Sequence, residues 1–576
     1  MSETIAKGSA PTKSAPMTAE ERKVIFASSL GTVFEWYDFY IYGTLSLVIG
    51  KAFLSPLDPG SQAIMTLLIF AAGFVVRPFG AIVFGRLGDL VGRKYTFLIT
   101  IMLMGLSTFA IGFLPAYNQI GVWAPIILIT LRMLQGLALG GEYGGAATYI
   151  AEHAPHGKRA SYTSWIQTTA TLGLVMSLVM LWVLGNLGIN FVDPAKGSDW
   201  WAGWRIPFIF SIVLLGISVW IRLTLSESPA FQKMKEDGKL SKSPLSESFG
   251  QWKNLKIVFL ALFGLVAGQA VIWYGGQFYA QIFLRDLVKI DPKVVNELLL
   301  YGLLLGTPFF IVFGFLADKI GRKIIIMLGL LLGVICYIPG TPVSIFSGLV
   351  HYGNPALEKS MIESPVSISA NLEDCSFQFN PTGTLKFTSS CDIAKQTLAA
   401  NSVNYTTVAS NAGPGTMAKI KIGDKEIESF TGELNADKSF TKETLEKVAA
   451  FKKEVRTALD DAKYPAKADP TQINRPMIVL LLTFLMILVT MVYAPIAALL
   501  VELFPTRIRY SSMSLPYHIG NGWFGGFLPA ISTALVLDKG SIFAGLWYPV
   551  IIAAITLVIG TLFVPETKDV DIYAND

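Results

Sequence analysis

Charge is what this chain has least of. Only 15% of its 576 residues are Asp, Glu, Lys or Arg, while 52% are hydrophobic, too little polar surface to wrap a soluble body of this length. Cysteine is scarce as well, and three residues exclude a disulfide-dense secreted scaffold. No phosphate-cradling G-x-x-x-x-G-K-[ST] run, metal-spaced Cys/His set or serine-nucleophile signature occurs. ATP-driven pumping and membrane enzymology are therefore disfavoured, and no cofactor or metal is expected. Residues 1–23 are polar and lack an apolar stretch with a cleavage site, so nothing is expected to be removed and the first apolar run is expected to act as an uncleaved signal anchor.

What fills the chain instead is long apolar runs. Twelve are read as membrane spans, near 24–50, 62–85, 95–114, 121–150, 161–187, 205–224, 256–284, 294–317, 324–349, 476–502, 511–537 and 541–563. They are almost continuously apolar for about twenty residues, where a membrane strand alternates over about ten, so an all-α polytopic fold is predicted. Lys and Arg crowd alternate loops, around Arg86, Arg93 and Lys94, Lys158 and Arg159, Lys233 to Lys256, Lys319 to Lys323, and Arg507 with Arg509. That bias places these loops and both termini in the cytoplasm. It also accounts for the net charge of +5, so no nucleic-acid partner is inferred.

Two internal matches set the architecture. Gly85-Arg86-Leu87-Gly88-Asp89-Leu90-Val91-Gly92-Arg93-Lys94 recurs as Gly314-Phe315-Leu316-Ala317-Asp318-Lys319-Ile320-Gly321-Arg322-Lys323, about 229 residues later, each copy joining two apolar runs. Glu152-x-x-Pro155-x-x-x-Arg159-x-Ser161 recurs as Glu502-x-x-Pro505-x-x-x-Arg509-x-Ser511 at an offset of about 350. The offsets differ by about 121 residues, which locates an insertion in the second half of a duplicated bundle.

The resulting division is a tail (1–23), a six-helix half (24–224), a linker (225–255), spans seven to nine (256–349), a polar insert (350–474), spans ten to twelve (475–564) and a second tail (565–576). The insert faces outward in this scheme, so Cys375 and Cys391 are expected to form a disulfide, with two free thiols as the alternative. Alternating segments at 366–370 and 384–388 predict short strands, and Thr441 is expected to cap a helix with Leu445, Val448, Val455 and Leu459 on one face. A small α+β module is expected, with a flexible loop as the alternative. Asn404-Tyr405-Thr406 has the form of a glycosylation sequon.

Charges inside spans are costly and hence functional candidates. Glu35 and Asp38 lie three residues apart on one flank of the first span, and two close carboxylates in low dielectric resist double ionisation, so one is expected to carry a proton. Glu142 is the third candidate. Any of them can instead serve only as a structural partner of an arginine. The fourth span holds Arg132 and Gln135, read as substrate-binding, beside a Gly136, Gly140, Gly144 ridge read as helix packing. Tyr37, Trp273, Tyr274, Gln277, Gln281, Tyr517, His518 and Asn521 complete the candidate substrate site, though core packing is the commoner role for such aromatics. Asp89 with Arg93, Asp318 with Arg322, and Arg77 nearer the cytoplasmic end are read as gate residues. Spans seven to twelve show no acidic residue well inside, which assigns the proton chemistry to the first half.

Together these residues resemble the major facilitator superfamily, whose signature loops the paired G-x-L-x-D-x-x-G-R-K runs match; Arg132-x-x-Gln135-Gly136 and Pro565-Glu566-Thr567-Lys568 are similar to its fourth-span and terminal motifs. Glu35-Trp36-Tyr37-Asp38-Phe39, Arg77-Pro78-Phe79-Gly80 and Gly140-Gly141-Glu142-Tyr143-Gly144-Gly145 most resemble its metabolite:proton symporters, which import carboxylates, proline or betaine. The resemblance implies two six-helix bundles that rock about a central site and a monomer in a bacterial inner membrane, its partners being a small molecule, protons and lipid. Proton-coupled uptake of a small organic acid or zwitterion is the leading expectation. A proton-driven exporter, or a receptor that uses the outward insert, are the alternatives. Span seven reads Gly268-Gln269-Ala270-Val271, without the paired glutamines that sugar facilitators resemble.

Overall fold

The computed structural model describes residues 19–57, 59–155, 157–189, 203–223, 236, 243–378, 386–410, 413–436, 439–570 and 572. Helices dominate, because a chain so apolar has to satisfy its backbone groups within each segment. Among the described residues, nine helical stretches are long and apolar enough to cross a membrane, including Ile64–Leu90, Trp123–His153, Arg159–Asn186, Trp252–Leu287 and Arg475–Leu503. The helices Ala19–Thr44, Arg322–Tyr337 and Arg509–Ile519 with Leu528–Lys539 occupy three further predicted spans.

The ninth predicted span, 324–349, is overlong. Its helix stops at Tyr337, since Pro339 and Pro342 lack a backbone donor and Gly340 takes a φ of +74°. A separate helix, Ile345–Gly353, then leads into the insert. Two stretches carry π-turns: Trp252–Leu287 at Leu262–Val266, Gly275–Tyr279 and Phe283–Leu287, and the eleventh region at Gly520–Gly525, just after Pro516. The glycine ridge of Trp123–His153 packs backbone against backbone. A Cβ on Gly136 would stand 1.7 Å from the Gly73 carbonyl oxygen, and one on Gly140 2.2 Å from that of Arg77, so only glycine fits.

The polar insert folds as an α+β unit with its own core of Leu357, Ile368, Ile420, Ile422, Phe451, Val455 and Leu459. Four strands, β1 (Val366–Ala370), β2 (Tyr405–Ala409), β3 (Lys419–Ile422) and β4 (Lys425–Glu428), lie in the order β2-β1-β3-β4. β1 and β2 run parallel and are joined through the helix Ser390–Ala400, while β3 and β4 form a tight hairpin. Cys375 and Cys391 are joined as a disulfide, Cα to Cα 5.2 Å.

Of the two strands expected from alternation, 366–370 is β1. Residues 386–388 are not strand, and 384 and 385 lie outside the described residues. Thr441 does cap Lys442–Asp461, its Oγ1 accepting the Thr444 N–H at 3.1 Å. Leu445 is 54% exposed, however, because Phe451, Val455, Ala458 and Leu459 form the buried face.

The unit sits at the far end of the bundle from the loop signatures and touches the second half. Ala468 N–H donates to the Lys289 carbonyl at 3.0 Å, Ser402 Oγ to Asp286 O at 2.9 Å, and Tyr405 N–H to Gly540 O at 2.8 Å. Lys395 Nζ stands 3.8 Å from Asp538, and Asn404, the sequon residue, accepts the Ile542 N–H at 3.2 Å.

Candidate functional site

At the signature end, the two internal repeats are paired across the halves. Asp318 accepts from Ala160 N–H (3.0 Å), Ser161 N–H (2.8 Å) and Ser161 Oγ (2.6 Å). Asp89 accepts from Ser511 N–H (3.1 Å) and Ser511 Oγ (2.6 Å). Each signature aspartate thus caps a helix start, Arg159–Asn186 or Arg509–Ile519, that belongs to the opposite half, where unpaired N–H groups and the helix dipole favour an anion.

Around these caps, Arg509 Nη1 stands 3.2 Å from Glu152, Arg159 Nη1 3.5 Å from Glu502, and Arg322 Nη2 3.1 Å from Glu502 and 3.0 Å from Asp318. Glycines let the halves approach: a Cβ on Gly314 would meet Ser164 at 2.5 Å, and one on Gly144 would meet Ser514 Oγ at 1.9 Å. The side chain of Arg93 lies outside the described residues.

Midway along the bundle the seam between the halves is aromatic. Tyr143 stacks on Tyr517 with centroids 3.5 Å apart, the Tyr517 and Tyr493 hydroxyls share a 2.7 Å hydrogen bond, and Gln167 Nε2 donates to Tyr143 Oη and the Tyr493 carbonyl. Trp273 lies against Tyr40 and Trp36, with an indole N–H that has no hydrogen-bond partner. Gln277 Nε2 reaches Thr171 of the other half at 3.4 Å.

Arg77 lies at this seam, within electrostatic range of Arg132. It lies among the rings of Phe74 (4.2 Å), Phe39 (4.6 Å) and Trp36 (5.5 Å), wholly buried, with the Tyr274 hydroxyl beside it but none of its three side-chain nitrogens in a well-aligned hydrogen bond. Its position differs from the gate role expected from sequence: its neighbours are aromatic rings and His518, not the Asp89 and Asp318 caps. His518, within electrostatic range of it, is buried with both ring nitrogens unpartnered.

Other candidates find hydrogen-bond partners within their own half, Arg132 through one of its nitrogens only, its Nε and Nη2 having none. Arg132 Nη1 donates to Gln135 Oε1 (2.6 Å) and to Phe39 O (3.3 Å), and Gln135 Nε2 donates to Thr108 (2.7 Å), which also reaches Asp38. Tyr37 donates to Pro207 O, Gln281 to Asn296, and Asn521 exchanges bonds with Gln269. Tyr274 is packed edge-on to Phe74.

Glu35 and Glu142 both face Arg222, whereas Asp38 keeps one oxygen without a partner and no cation within salt-bridge distance among the described residues. Arg222, Thr108, Tyr493 and Gln167 escaped the sequence reading. Arg222 ends a span and reads as an ordinary inside-facing anchor, and nothing in the sequence shows that it turns inward.

The chain matches the family model described as "Sugar (and other) transporter" over residues 23–256 and 462–575, leaving 257–461, the stretch read as spans seven to nine and most of the insert, unmatched. It is 38% identical to a putative metabolite transport protein of Haemophilus influenzae, over 57% of this chain and 77% of that one. It is 34% identical to the proline/betaine transporter of Escherichia coli over 54% of this chain, spanning 62% of that relative. A solved structure of the E. coli xylose transporter XylE, partially occluded and inward open, superposes with a TM-score of 0.55 at 14% identity, covering 96% of this chain and 99% of that one. The chain belongs to the sugar (and other) transporter family and carries the major facilitator fold.

Proposed function

We propose that this chain is a proton-coupled secondary transporter that imports a small metabolite bearing a carboxylate, an organic acid or a zwitterion. Twelve spans form two six-helix halves joined through the 225–255 linker. Both termini and the capped helix starts face the cytoplasm, and the α+β unit stands outside between spans nine and ten, on a monomeric carrier in the bacterial inner membrane.

The observation that carries the reading is Arg77, a buried guanidinium with no carboxylate partner among the described residues, at the seam of the halves beside His518 and the Tyr274 hydroxyl. A carboxylate supplies the charge and the paired acceptors that such a group lacks. Asp38, without a counter-ion, holds the coupling proton; protonated, it leaves the first half with an excess positive charge that the substrate carboxylate neutralises, and the loaded carrier reorients. The names of the relatives make proline and glycine betaine the first compounds to try.

The test is uptake of radiolabelled proline, glycine betaine and a panel of carboxylates into proteoliposomes. An imposed proton gradient is expected to drive accumulation, a protonophore to abolish it, and Asp38→Asn to keep exchange while losing accumulation. Accumulation indifferent to the gradient overturns the coupling, and net efflux under the same gradient overturns the direction.

A further inference from the structure

Arg222 ends the helix Arg205–Leu223 and turns into the first half's interior. Its Nη2 stands 3.3 Å from Glu35 Oε1 and 3.6 Å from Glu142 Oε1, and all three side chains are at most 4% exposed. Room for it comes from Gly31, where a Cβ would press within 3.3 Å of its Nε, and the Phe97 ring covers the guanidinium at 4.4 Å. The remaining titratable groups in range are Asp38, near Glu35 on the same helix, Tyr149 of the fourth helix, and Tyr510 of the second half. Among the described residues no second cation reaches either carboxylate.

One guanidinium therefore serves two carboxylates. Their oxygens face the same nitrogen and so lie within about 7 Å of each other. Buried this deeply, two anions beside one cation leave an uncompensated charge: Arg222 Nη2 donates to Glu35 Oε1, but Glu35 Oε2, Glu142 Oε1 and Arg222 Nε and Nη1 have no hydrogen-bond partner. One proton on either carboxylate closes the balance and leaves the other paired with Arg222.

Glu142 also adjoins the seam. The next residue back, Gly141, accepts a hydrogen bond from the Tyr510 hydroxyl, and Tyr510 precedes Ser511, which Asp89 caps. Parting of the halves at the cytoplasmic gate removes Tyr510 from Gly141 and exposes the Glu142 side of the pair first.

We propose that Glu35, Glu142 and Arg222 form a second proton station, one turn to the cytoplasmic side of Asp38, in which the two carboxylates share one proton and Arg222 is the positioning residue that decides which holds it. This rests on the proton-coupled reading. Once the gate opens beside Glu142 the shared proton passes to cytoplasmic water, and the carboxylate left vacant, the one that Arg222 is not pairing, then takes the proton of the Asp38 carboxyl.

Infrared difference spectroscopy of the full-length protein in nanodiscs, titrated without substrate, tests this through the C=O stretch of protonated carboxyls. Two components are expected, one lost in Asp38→Asn. The other disappears in Glu35→Gln and equally in Glu142→Gln, since either change balances the charge. Arg222→Gln shifts that component's midpoint up by about one pH unit or more, tenfold in proton affinity, and Arg222→Lys restores it.

If Arg222→Gln does not fold, the two glutamine variants decide alone. A second component that survives either of them, or that never appears, overturns the shared station. Absence of the Asp38 component from the unsubstituted protein, by contrast, overturns the coupling reading itself.

Discussion

Arg77 and Arg132 are both fully buried guanidiniums, yet their surroundings give them opposite expectations. Arg132 is held by Phe39 O and Gln135, so Arg132→Gln leaves acceptors unpaired and is expected to lower the melting temperature, each lost charge-assisted bond costing about 1.5–3 kcal/mol. Arg77 has aromatic faces, His518 and the Tyr274 hydroxyl around it, and no carboxylate among the described residues. Arg77→Gln is expected to leave the melting temperature unchanged or raised, while weakening substrate binding by roughly ten- to a hundredfold. Thermal melting and a binding isotherm on the two variants separate the roles. The sequence names both arginines as rare intramembrane charges, but it ranks them by predicted depth, and depth does not reveal which one has lost its hydrogen bonds. Asp38 and Glu35 show the same limit: their spacing is plain in the sequence, and the cation that divides their labour arrives from residue 222.

At the scale of elements, the glycine ridge is both legible and decisive. Gly136→Ala drives a methyl into the Gly73 backbone; overpacking costs about 1–3 kcal/mol even where side chains can yield, and here only backbone is available. Loss of monodisperse protein on size-exclusion chromatography is expected. Gly185→Ala, at an open helical position with nothing within 4 Å, is expected to be neutral or to stabilise by about 0.5–1 kcal/mol.

The insert was harder to read. β1 alternates cleanly, but β3 and β4 are only four residues each and rich in Lys and Glu, so their hydrophobic signal is two isoleucines and one. The early stop of the ninth helix had a visible signal in Pro339 and Gly340, masked by the apolar residues that follow in 343–350.

For the whole molecule, helix caps exchanged between the halves join them at the signature end. In Asp89→Asn with Asp318→Asn each cap keeps an oxygen but loses its charge, and, if the proposed gate lies here, this seam is expected to open more often. A Ser164→Cys probe, placed opposite Gly314 in a Cys336→Ser background, then reacts several-fold faster with a maleimide; an unchanged rate counts against the gate.

The α+β unit docks on the second half, and its docking is expected to depend on pH. Burial and the nearby Arg456 push the Lys289 amine down to about 8 from its ordinary 10.5. An undocked lysine keeps its proton between those values and a docked one does not, so docking is expected to strengthen as pH rises from about 8 towards 10.5 and to be weakest below 8. Protease cleavage within 463–470 followed against pH reads this out, and Lys289→Met flattens the curve.

The exchanged caps have one more consequence, for how the molecule is held in one piece. Each half carries the aspartate that the other half's helix start needs, and the arginines and glutamates around them are traded in the same way. Covalent continuity through the linker adds proximity but none of these contacts. Two fragments severed inside 225–243 and produced together therefore retain every complementary surface required to find one another in the bilayer, and are expected to co-purify as a heterodimer.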